Sequence, residues 1–308
     1  MDDQRVGRAV VAGVDGSESS LQAVRWAARE ASRLRAPLRL VAAVGWVTAP
    51  HQYGDPRTGP DLREVLLRQA RVHLAKAAQV AADVAPGPEP DREVLDGFPV
   101  PRLADESRAA QLVAIGDRGL GGVAGLVVGS VAGGVAAHGD CPVVVVRGRW
   151  DASGGPVVVG VDGSPVSDAA LGFAFEAAAL RRAPLLAVHA WRELLIDPVT
   201  LPSLDWAVVE QEEQAELAER LAEWQDKYPD VDVQRLVVRD RPARVLVEQS
   251  AHAQLVVVGS HGHGDLAGLV LGSIGHAVLH RADCPVAIVR PDIGAGAYWT
   301  GARGDRHG

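Results

Sequence analysis

Lysine is almost absent from this chain of 308 residues. Of its 31 lysine and arginine residues only Lys76 and Lys227 are lysines, and neither lies near a glycine-rich segment. A P-loop needs a lysine after its glycines to reach the phosphates, and a protein kinase needs a lysine on its third strand. The sequence therefore excludes both of these phosphate-transfer classes.

Cysteine is equally scarce. Cys141 and Cys284 each stand in an Asp-Cys-Pro tripeptide near the end of one half of the chain. Identical contexts indicate equivalent buried positions and not the two ends of one disulfide bond. We therefore expect two free thiols.

Long apolar runs and basic clusters are also missing. No run approaches the roughly 18 residues needed to cross a bilayer, and the amino terminus lacks the basic and apolar segments of a secretory signal. The net charge is −8, which on average repels nucleic acid. We expect a soluble, cytoplasmic protein that binds neither a membrane nor nucleic acid.

The chain repeats itself. Three blocks of the first half recur in the same order in the second half: Val10–Ala31 as Val157–Ala178, Gln111–Val131 as Gln254–Ile274, and Asp140–Arg147 as Asp283–Arg290. Matching blocks in matching order indicate an internal duplication. Each half is therefore expected to contain the same structural unit.

The duplication predicts two domains. The copies meet at a stretch rich in glycine, serine and proline, Asp151–Pro156. We predict a first domain at residues 1–150, a second domain at residues 151–292 and a mobile tail at residues 293–308.

Strands and helices alternate within each copy. Short apolar runs such as Leu38–Val44 and Val143–Val146 are typical of strands buried on both faces of a parallel sheet. Ser164 followed by Pro165 predicts a helix start, because serine caps first-turn amides and proline loses no hydrogen bond at the first helical position. The predicted fold is α/β, with two tandem doubly wound, Rossmann-like parallel-sheet domains.

A glycine loop follows the fourth predicted strand of each copy. The loop has two glycines three positions apart, then nine residues, then Gly-Ser: Gly116, Gly119, Gly129 and Ser130 in the first copy, and Gly259, Gly262, Gly272 and Ser273 in the second. Such glycines bring backbone amides against an anion, and the amino terminus of the helix that the serine opens favours negative charge. We predict a phosphate site in each copy.

A Gly-Val-Asp-Gly-Ser segment follows the first strand of each copy. It contains Gly13 and Asp15 in the first copy and Gly160 and Asp162 in the second. Ligands of open α/β sheets bind beyond the carboxyl ends of the strands where the strand order reverses, so the first and fourth strands would flank the crevice. The two aspartates are expected to face a nucleoside, to help cap the following helix, or to do both.

These motifs together resemble the universal stress protein family in its ATP-binding, tandem-domain form. The glycine spacing, the aspartate after the first strand and the Cys-Pro-Val of the last strand carry the resemblance, which covers residues 8–147 and 156–290. It implies two bound ATP molecules, with phosphates on the glycine loops and adenine near the first and second strands. Transferred by position, the sites comprise Gly13, Asp15, Ala43, Gly116, Asp117, Arg118, Gly119, Gly129, Ser130 and Val131, and Gly160, Asp162, Ala190, Gly259, Ser260, His261, Gly262, Gly272, Ser273 and Ile274.

The first loop departs from the pattern of many family members, which have Gly-Ser-His-Gly or Gly-Ser-Arg-Gly. Asp117 occupies the position that Ser260 holds in the second copy. A carboxylate that points toward the triphosphate would oppose binding, with Arg118 beside it as partial compensation. We therefore expect the second site to bind ATP more tightly.

The resemblance implies a nucleotide-dependent regulator of stress or growth state. Catalysis beyond weak ATP hydrolysis is not expected, because no lysine or general base is placed for phosphoryl transfer. A slow ATP hydrolase and a scaffold without nucleotide stay open as alternatives. The resemblance also implies pairing of the two last strands within the chain; we further expect a homodimer, the nucleotide carrying any Mg²⁺, and an unidentified regulatory protein partner.

Two rival motifs are weaker. Gly119–Ala124 and Gly262–Ala267 fit the Gly-x-Gly-x-x-Ala fingerprint of dinucleotide-binding oxidoreductases, but they follow a late strand and not the first one. His261 and His263 are spaced to share a metal ion, but no cluster of cysteine or acidic residues supplies further ligands. We expect neither a dinucleotide nor a metal held by protein ligands alone.

Overall fold

A computed structural model of the chain describes residues 8–45, 62–119, 128–191, 206–262 and 271–291. The chain divides into two units, Met1–Val146 and Arg147–Gly308. Arg147 is the first residue of the second unit, and its guanidinium donates a hydrogen bond to the carbonyl of Leu279 in the same unit. The tail predicted at residues 293–308 lies outside the described residues.

The first unit alternates strands and helices along the chain. Its strands are all parallel and pair in the order β3-β2-β1-β4-β5. The elements are β1 Val10–Gly13, α1 Glu18–Leu34, β2 Leu38–Val44, α2 Leu62–Val84, β3 Asp91–Asp96, α3 Pro99–Ser107, β4 Leu112–Gly116, α4 Ser130–His138 and β5 Val143–Val146.

The second unit repeats this arrangement. Its parallel strands pair in the order β10-β9-β6-β7-β8. The elements are β6 Val157–Gly160, α5 Pro165–Arg181, β7 Leu185–Trp191, α6 Trp206–Lys227, β8 Val233–Arg239, α7 Pro242–Ser250, β9 Leu255–Gly259, α8 Ser273–Arg281 and β10 Val286–Val289. The predicted α/β class with two tandem parallel-sheet domains is confirmed.

The order of the strands places the motifs. β1 lies between β2 and β4, with Val10 opposite both Leu38 and Leu112, and β6 lies in the same way between β7 and β9. After β1 the chain forms β2 and β3 on one side of β1, and it then forms β4 and β5 on the other side. The strand order therefore reverses between β1 and β4. The Asp-Gly-Ser segment and the glycine loop therefore meet at one point, as predicted.

Helices α1 and α5 begin at side-chain caps beside this point. The hydroxyl of Ser17 accepts a hydrogen bond from the Ser20 amide at 3.1 Å, and the hydroxyl of Ser164 accepts one from the Ser167 amide at 3.2 Å. Pro165 occupies the first turn of α5, which confirms the predicted helix start. Among the described residues, no helix combines the length and the hydropathy needed to span a membrane.

Both cysteines are free and buried. Burial away from water raises the pKa of the Cys141 thiol far above its ordinary range and that of Cys284 to about 12. Because the thiolate is the reactive form, we expect Ellman's reagent at about pH 8 to label neither cysteine in the folded chain and both in guanidinium chloride. Stoichiometric labelling of the folded chain within minutes would contradict this expectation.

Candidate functional site

The base of each glycine loop is closed by the same pair of backbone hydrogen bonds. In the first unit the amide of Asp117 donates to the last carbonyl of β5 at 3.1 Å, and the Asp117 carbonyl accepts from the Gly129 amide at 2.7 Å. In the second unit Ser260 takes the place of Asp117, and its carbonyl accepts from the Gly272 amide at 2.7 Å. Within the loops, residues 120–127 and 263–270 lie outside the described residues.

The helix after each loop begins at a glycine. Gly129 is the N-cap of α4, with extended backbone angles and no side-chain cap bond, so Ser130 is the first helical residue as predicted. The first intrahelical bond runs from the Gly133 amide to the Gly129 carbonyl. The amides of Ser130, Val131 and Ala132 are therefore the ones without an intrahelical acceptor, which is the arrangement that attracts anions. Gly272 and α8 repeat it in the second unit.

Asp15 both supports a helix cap and borders the glycine loop. One carboxylate oxygen accepts hydrogen bonds from the amide and the hydroxyl of Ser17, at 2.9 and 2.6 Å. The other oxygen lies 2.7 Å from the point where a Cβ on Gly119 would stand, so a side chain there would force the Asp15 carboxylate to shift. Asp162 makes the matching bonds to Ser164 in the second unit, at 3.0 and 2.6 Å. Both aspartates therefore support the helix caps, and their role toward a nucleoside stays a prediction.

A cavity of about 460 Å³ lies at the carboxyl ends of β1 and β4. The structure brings every residue predicted for the first site to its wall: Gly13, Asp15, Ala43, Gly116, Asp117, Arg118, Gly119, Gly129, Ser130 and Val131. Residues more than 100 positions apart thus surround a single space.

The corresponding cavity of the second unit is smaller, with a volume of about 100 Å³. Ser260 is fully buried and does not line it. The other residues predicted for the second site do: Gly160, Asp162, Ala190, Gly259, His261, Gly262, Gly272, Ser273 and Ile274.

An apolar wall of each cavity was not predicted. Pro99 and Leu103, at the start of α3, line the first cavity, and Pro242 and Leu246, at the start of α7, line the second. The repeat held a signal for them, because Pro-x-x-x-Leu recurs at the same offset of 143 residues as the glycine loops. A planar, weakly polar group would find complementary surface there.

Asp117 does not stand alone in the first cavity. Its carboxylate accepts a hydrogen bond from the Ser19 hydroxyl at 2.7 Å and lies 3.3 Å from Nε of Arg118. The Asp117 side chain is 13% exposed and that of Arg118 is 43% exposed. The charge that suggested a weaker first site is therefore already engaged by two partners, while the ranking of the two sites stays a prediction.

The second loop is built differently at this point. The Ser260 hydroxyl lies 2.9 Å from Nδ1 of His261, and the residue that faces Gly259 from α5 is Val166. The imidazole of His261 therefore lines the second cavity, whereas the guanidinium of Arg118 lines the first.

The rival motifs fall largely in parts of the loops that the structure does not describe. The central residues of both dinucleotide fingerprints, and His263 of the metal hypothesis, lie outside the described residues. Within the described residues, no group of three or more histidine, cysteine, aspartate or glutamate side chains is arranged around a common point.

Two duplicated α/β units, each with a glycine loop where its strand order reverses, define a tandem member of the Rossmann-like α/β fold class. The sequence profile of the Universal stress protein family matches residues 7–147 and 155–290. The chain therefore belongs to the universal stress protein family, in its tandem-domain form, and the predicted resemblance is confirmed.

Relatives of similar length support this assignment. Universal stress protein Rv2005c of Mycobacterium tuberculosis is 42% identical over 299 residues, which cover 94% of this chain and 99% of the relative. Universal stress protein Rv2623 of the same organism is 39% identical over 293 residues, covering 92% and 97%. A universal stress protein structure from Archaeoglobus fulgidus covers 92% of this chain and 98% of its own, with a TM-score of 0.63 and 20% identity, and this likeness shows the fold.

Proposed function

We propose that each unit binds one adenine nucleotide non-covalently, with ATP as the preferred ligand. The observation that carries this proposal is the set of first-turn amides of α4 and α8 that face the cavities. Three such amides in each unit have no intrahelical acceptor. A phosphate can accept from several of them at once, and the positive end of the helix dipole adds to the attraction.

The rest of each cavity suits the other parts of a nucleotide. The wall formed by Pro99, Leu103 and Ala43 offers apolar surface for a base, and Pro242, Leu246 and Ala190 offer the same in the second unit. The outer carboxylate oxygen of Asp15 borders the glycine loop and is an acceptor suited to a sugar hydroxyl. These features support a ligand that carries a base, a hydroxylated sugar and phosphate, in that order along the cavity.

The same features favour a regulatory ligand over a turned-over substrate. Phosphoryl transfer relies on several positioned cations and a held water. On the described cavity walls, each site has a single side chain that is or can become cationic, Arg118 in the first and His261 in the second.

We propose that nucleotide occupancy in a cytoplasmic homodimer biases the chain between states that differ in partner binding. Slow hydrolysis is the second candidate, and incubation with ATP followed by measurement of released phosphate separates the two.

The test is to identify what the freshly purified chain carries. After denaturation and filtration, mass spectrometry is expected to find ATP in the filtrate, at up to two molecules per chain. Calorimetry with ATP, ADP, AMP and GTP, with and without Mg²⁺, then ranks the ligands and shows whether the metal enters with the nucleotide. Release of a flavin or a nicotinamide, or no heat with any adenine nucleotide, would overturn the proposal.

A further inference from the structure

Arg118 is held at two points, by a group about 100 residues away and by its neighbour in the chain. Its amide donates a hydrogen bond to the Ser19 hydroxyl at 3.4 Å. Its Nε lies 3.3 Å from the Asp117 carboxylate. Ser19 belongs to the first turn of α1, so this helix and the loop together position the backbone and the side chain of Arg118.

Asp117 is fixed in turn by Ser19. The Ser19 hydroxyl donates to the Asp117 carboxylate at 2.7 Å. A carboxylate that is held on one side can orient a guanidinium on the other, because the hydrogen bond to Nε fixes the plane of the group. The guanidinium has five N–H donors, and the bond to Asp117 uses the one on Nε. Among the described residues, that is the ion pair of the Arg118 side chain, and the two terminal nitrogens are the donors that would meet an anion.

The second unit replaces both members of this pair together. Val166 stands at the position of Ser19, and Ser260 stands at the position of Asp117. Val166 cannot donate a hydrogen bond, and Ser260 brings no charge that needs one. The aspartate therefore occurs in the copy that has a donor for it, which is the pattern expected if Ser19 and Asp117 act as one unit.

Two effects of Asp117 on a bound phosphate oppose each other. Its negative charge repels the phosphate, whereas its contact with Arg118 aligns a cation toward the cavity. The carboxylate is 13% exposed and the guanidinium side chain is 43% exposed, so the cation is the more accessible partner. Orienting a long side chain before binding also reduces the entropy lost on binding.

We propose that Ser19 and Asp117 are positioning residues that aim Arg118 at a phosphate of the nucleotide in the first unit. This inference rests on the proposed function. It reverses the role first expected for Asp117, which becomes a contributor to affinity and not an obstacle.

The experiment uses the full chain with the substitution Gly272→Asp, which is designed to silence the second site. Asp117→Asn keeps the size of the side chain and an acceptor for Ser19 but removes the charge that orients Arg118. Calorimetry is expected to show ATP affinity falling about fivefold to tenfold, in the range of one ordinary hydrogen bond, because Arg118 loses its orientation but keeps its charge. Adenosine, which has no phosphate, is expected to bind unchanged.

A cycle with Arg118→Ala separates positioning from repulsion. Without the guanidinium only the repulsion of Asp117 remains, so Asp117→Asn in the Arg118→Ala background is expected to leave ATP affinity unchanged or to raise it. Ser19→Ala is expected to weaken ATP in the same direction as Asp117→Asn. Glu18→Gln is the matched control, because it removes an equal charge from an exposed position at the start of α1, and it is expected to weaken nothing.

Each outcome has a separate meaning. Tighter or unchanged ATP binding by Asp117→Asn, in a variant whose thermal unfolding matches the parent, would overturn the positioning role, as would an equal loss of adenosine affinity. If Asp117→Asn fails to fold, Ser19→Ala decides by the same comparison of ATP with adenosine. A parent chain that binds no adenine nucleotide would instead overturn the proposed function.

Discussion

The substitution Gly272→Asp is expected to reduce the ATP stoichiometry from two to one while leaving the second unit folded. Gly272 is the N-cap of α8, with φ −69° and ψ 162°, a backbone conformation in which aspartate is a favoured cap. The new carboxylate would accept from the first-turn amides that we assign to phosphate, and it would also repel the phosphate. We expect a loss of about 3 kcal/mol or more, which is over 100-fold in affinity.

The same substitution should raise the stability of α8 slightly, because an aspartate cap adds up to about 1 kcal/mol over glycine. A loss of binding together with a gain in thermal stability is the signature that separates a blocked site from a misfolded one. Titration calorimetry measures the loss of ATP binding, and differential scanning calorimetry measures the gain in thermal stability. A folded variant that still binds two ATP molecules would show that phosphate lies elsewhere.

Gly129→Asp is the matched variant in the first unit. A Cβ at Gly129 would meet its nearest neighbour, the Asp117 carbonyl oxygen, at 3.5 Å, which is ordinary contact. Each single variant retains one intact site, so the pair also measures which site binds ATP more tightly. The charge of Asp117 taken alone predicts that the second site is tighter, whereas its positioning of Arg118 removes that ground. A lower dissociation constant in Gly272→Asp than in Gly129→Asp would contradict the order expected from charge and would support the positioning role.

Gly116→Ala is expected to destabilise the first unit by about 2 to 3 kcal/mol. A Cβ at this position would stand 2.6 Å from the backbone carbonyl carbon of Ser19 and 2.7 Å from its oxygen. Backbone cannot rotate away, so α1 has to move off β4. Since α1 also carries the groups that hold Arg118, ATP binding by the first unit should fall together with its stability.

Gly259→Ala in the second unit is the comparison. There the Cβ would meet Cγ1 of Val166 at 2.7 Å, a methyl group and not backbone, and the His261 carbonyl at 3.2 Å. We expect a smaller loss, at most about 1.5 kcal/mol. Gly133→Ala, where nothing lies within 4 Å of the added Cβ, should be neutral or stabilise α4 by up to about 1 kcal/mol. Equal losses at Gly116 and Gly259, measured by denaturant unfolding, would contradict this account.

The sequence was sufficient to predict the fold class and which segments meet. Strand alternation, repeated blocks and glycine spacing are local patterns, and the strand order then follows from the rules for parallel sheets. Ala43 and Ala190, which have no distinctive chemistry, were placed only by resemblance to a family, and both line their cavities.

The contacts between side chains were not predictable in the same way. Ser19 and Asp117 are 98 positions apart, and nothing in either segment alone indicates that their side chains meet. The apolar wall from α3 and α7 was missed for a related reason, since Pro-x-x-x-Leu is an ordinary helix start until the fold turns it toward the cavity.

The paired difference between Ser19 with Asp117 and Val166 with Ser260 means that the two positions cannot be exchanged between the copies one at a time. Ser19→Val alone would leave the Asp117 carboxylate, which is 13% exposed, against a hydrocarbon in place of its hydroxyl donor, at a cost of several kcal/mol. Asp117→Ser alone would leave a hydroxyl that has a neighbouring hydroxyl to bond. A chimera that transfers the glycine loop of the first unit into the second therefore has to carry the start of α1 with it.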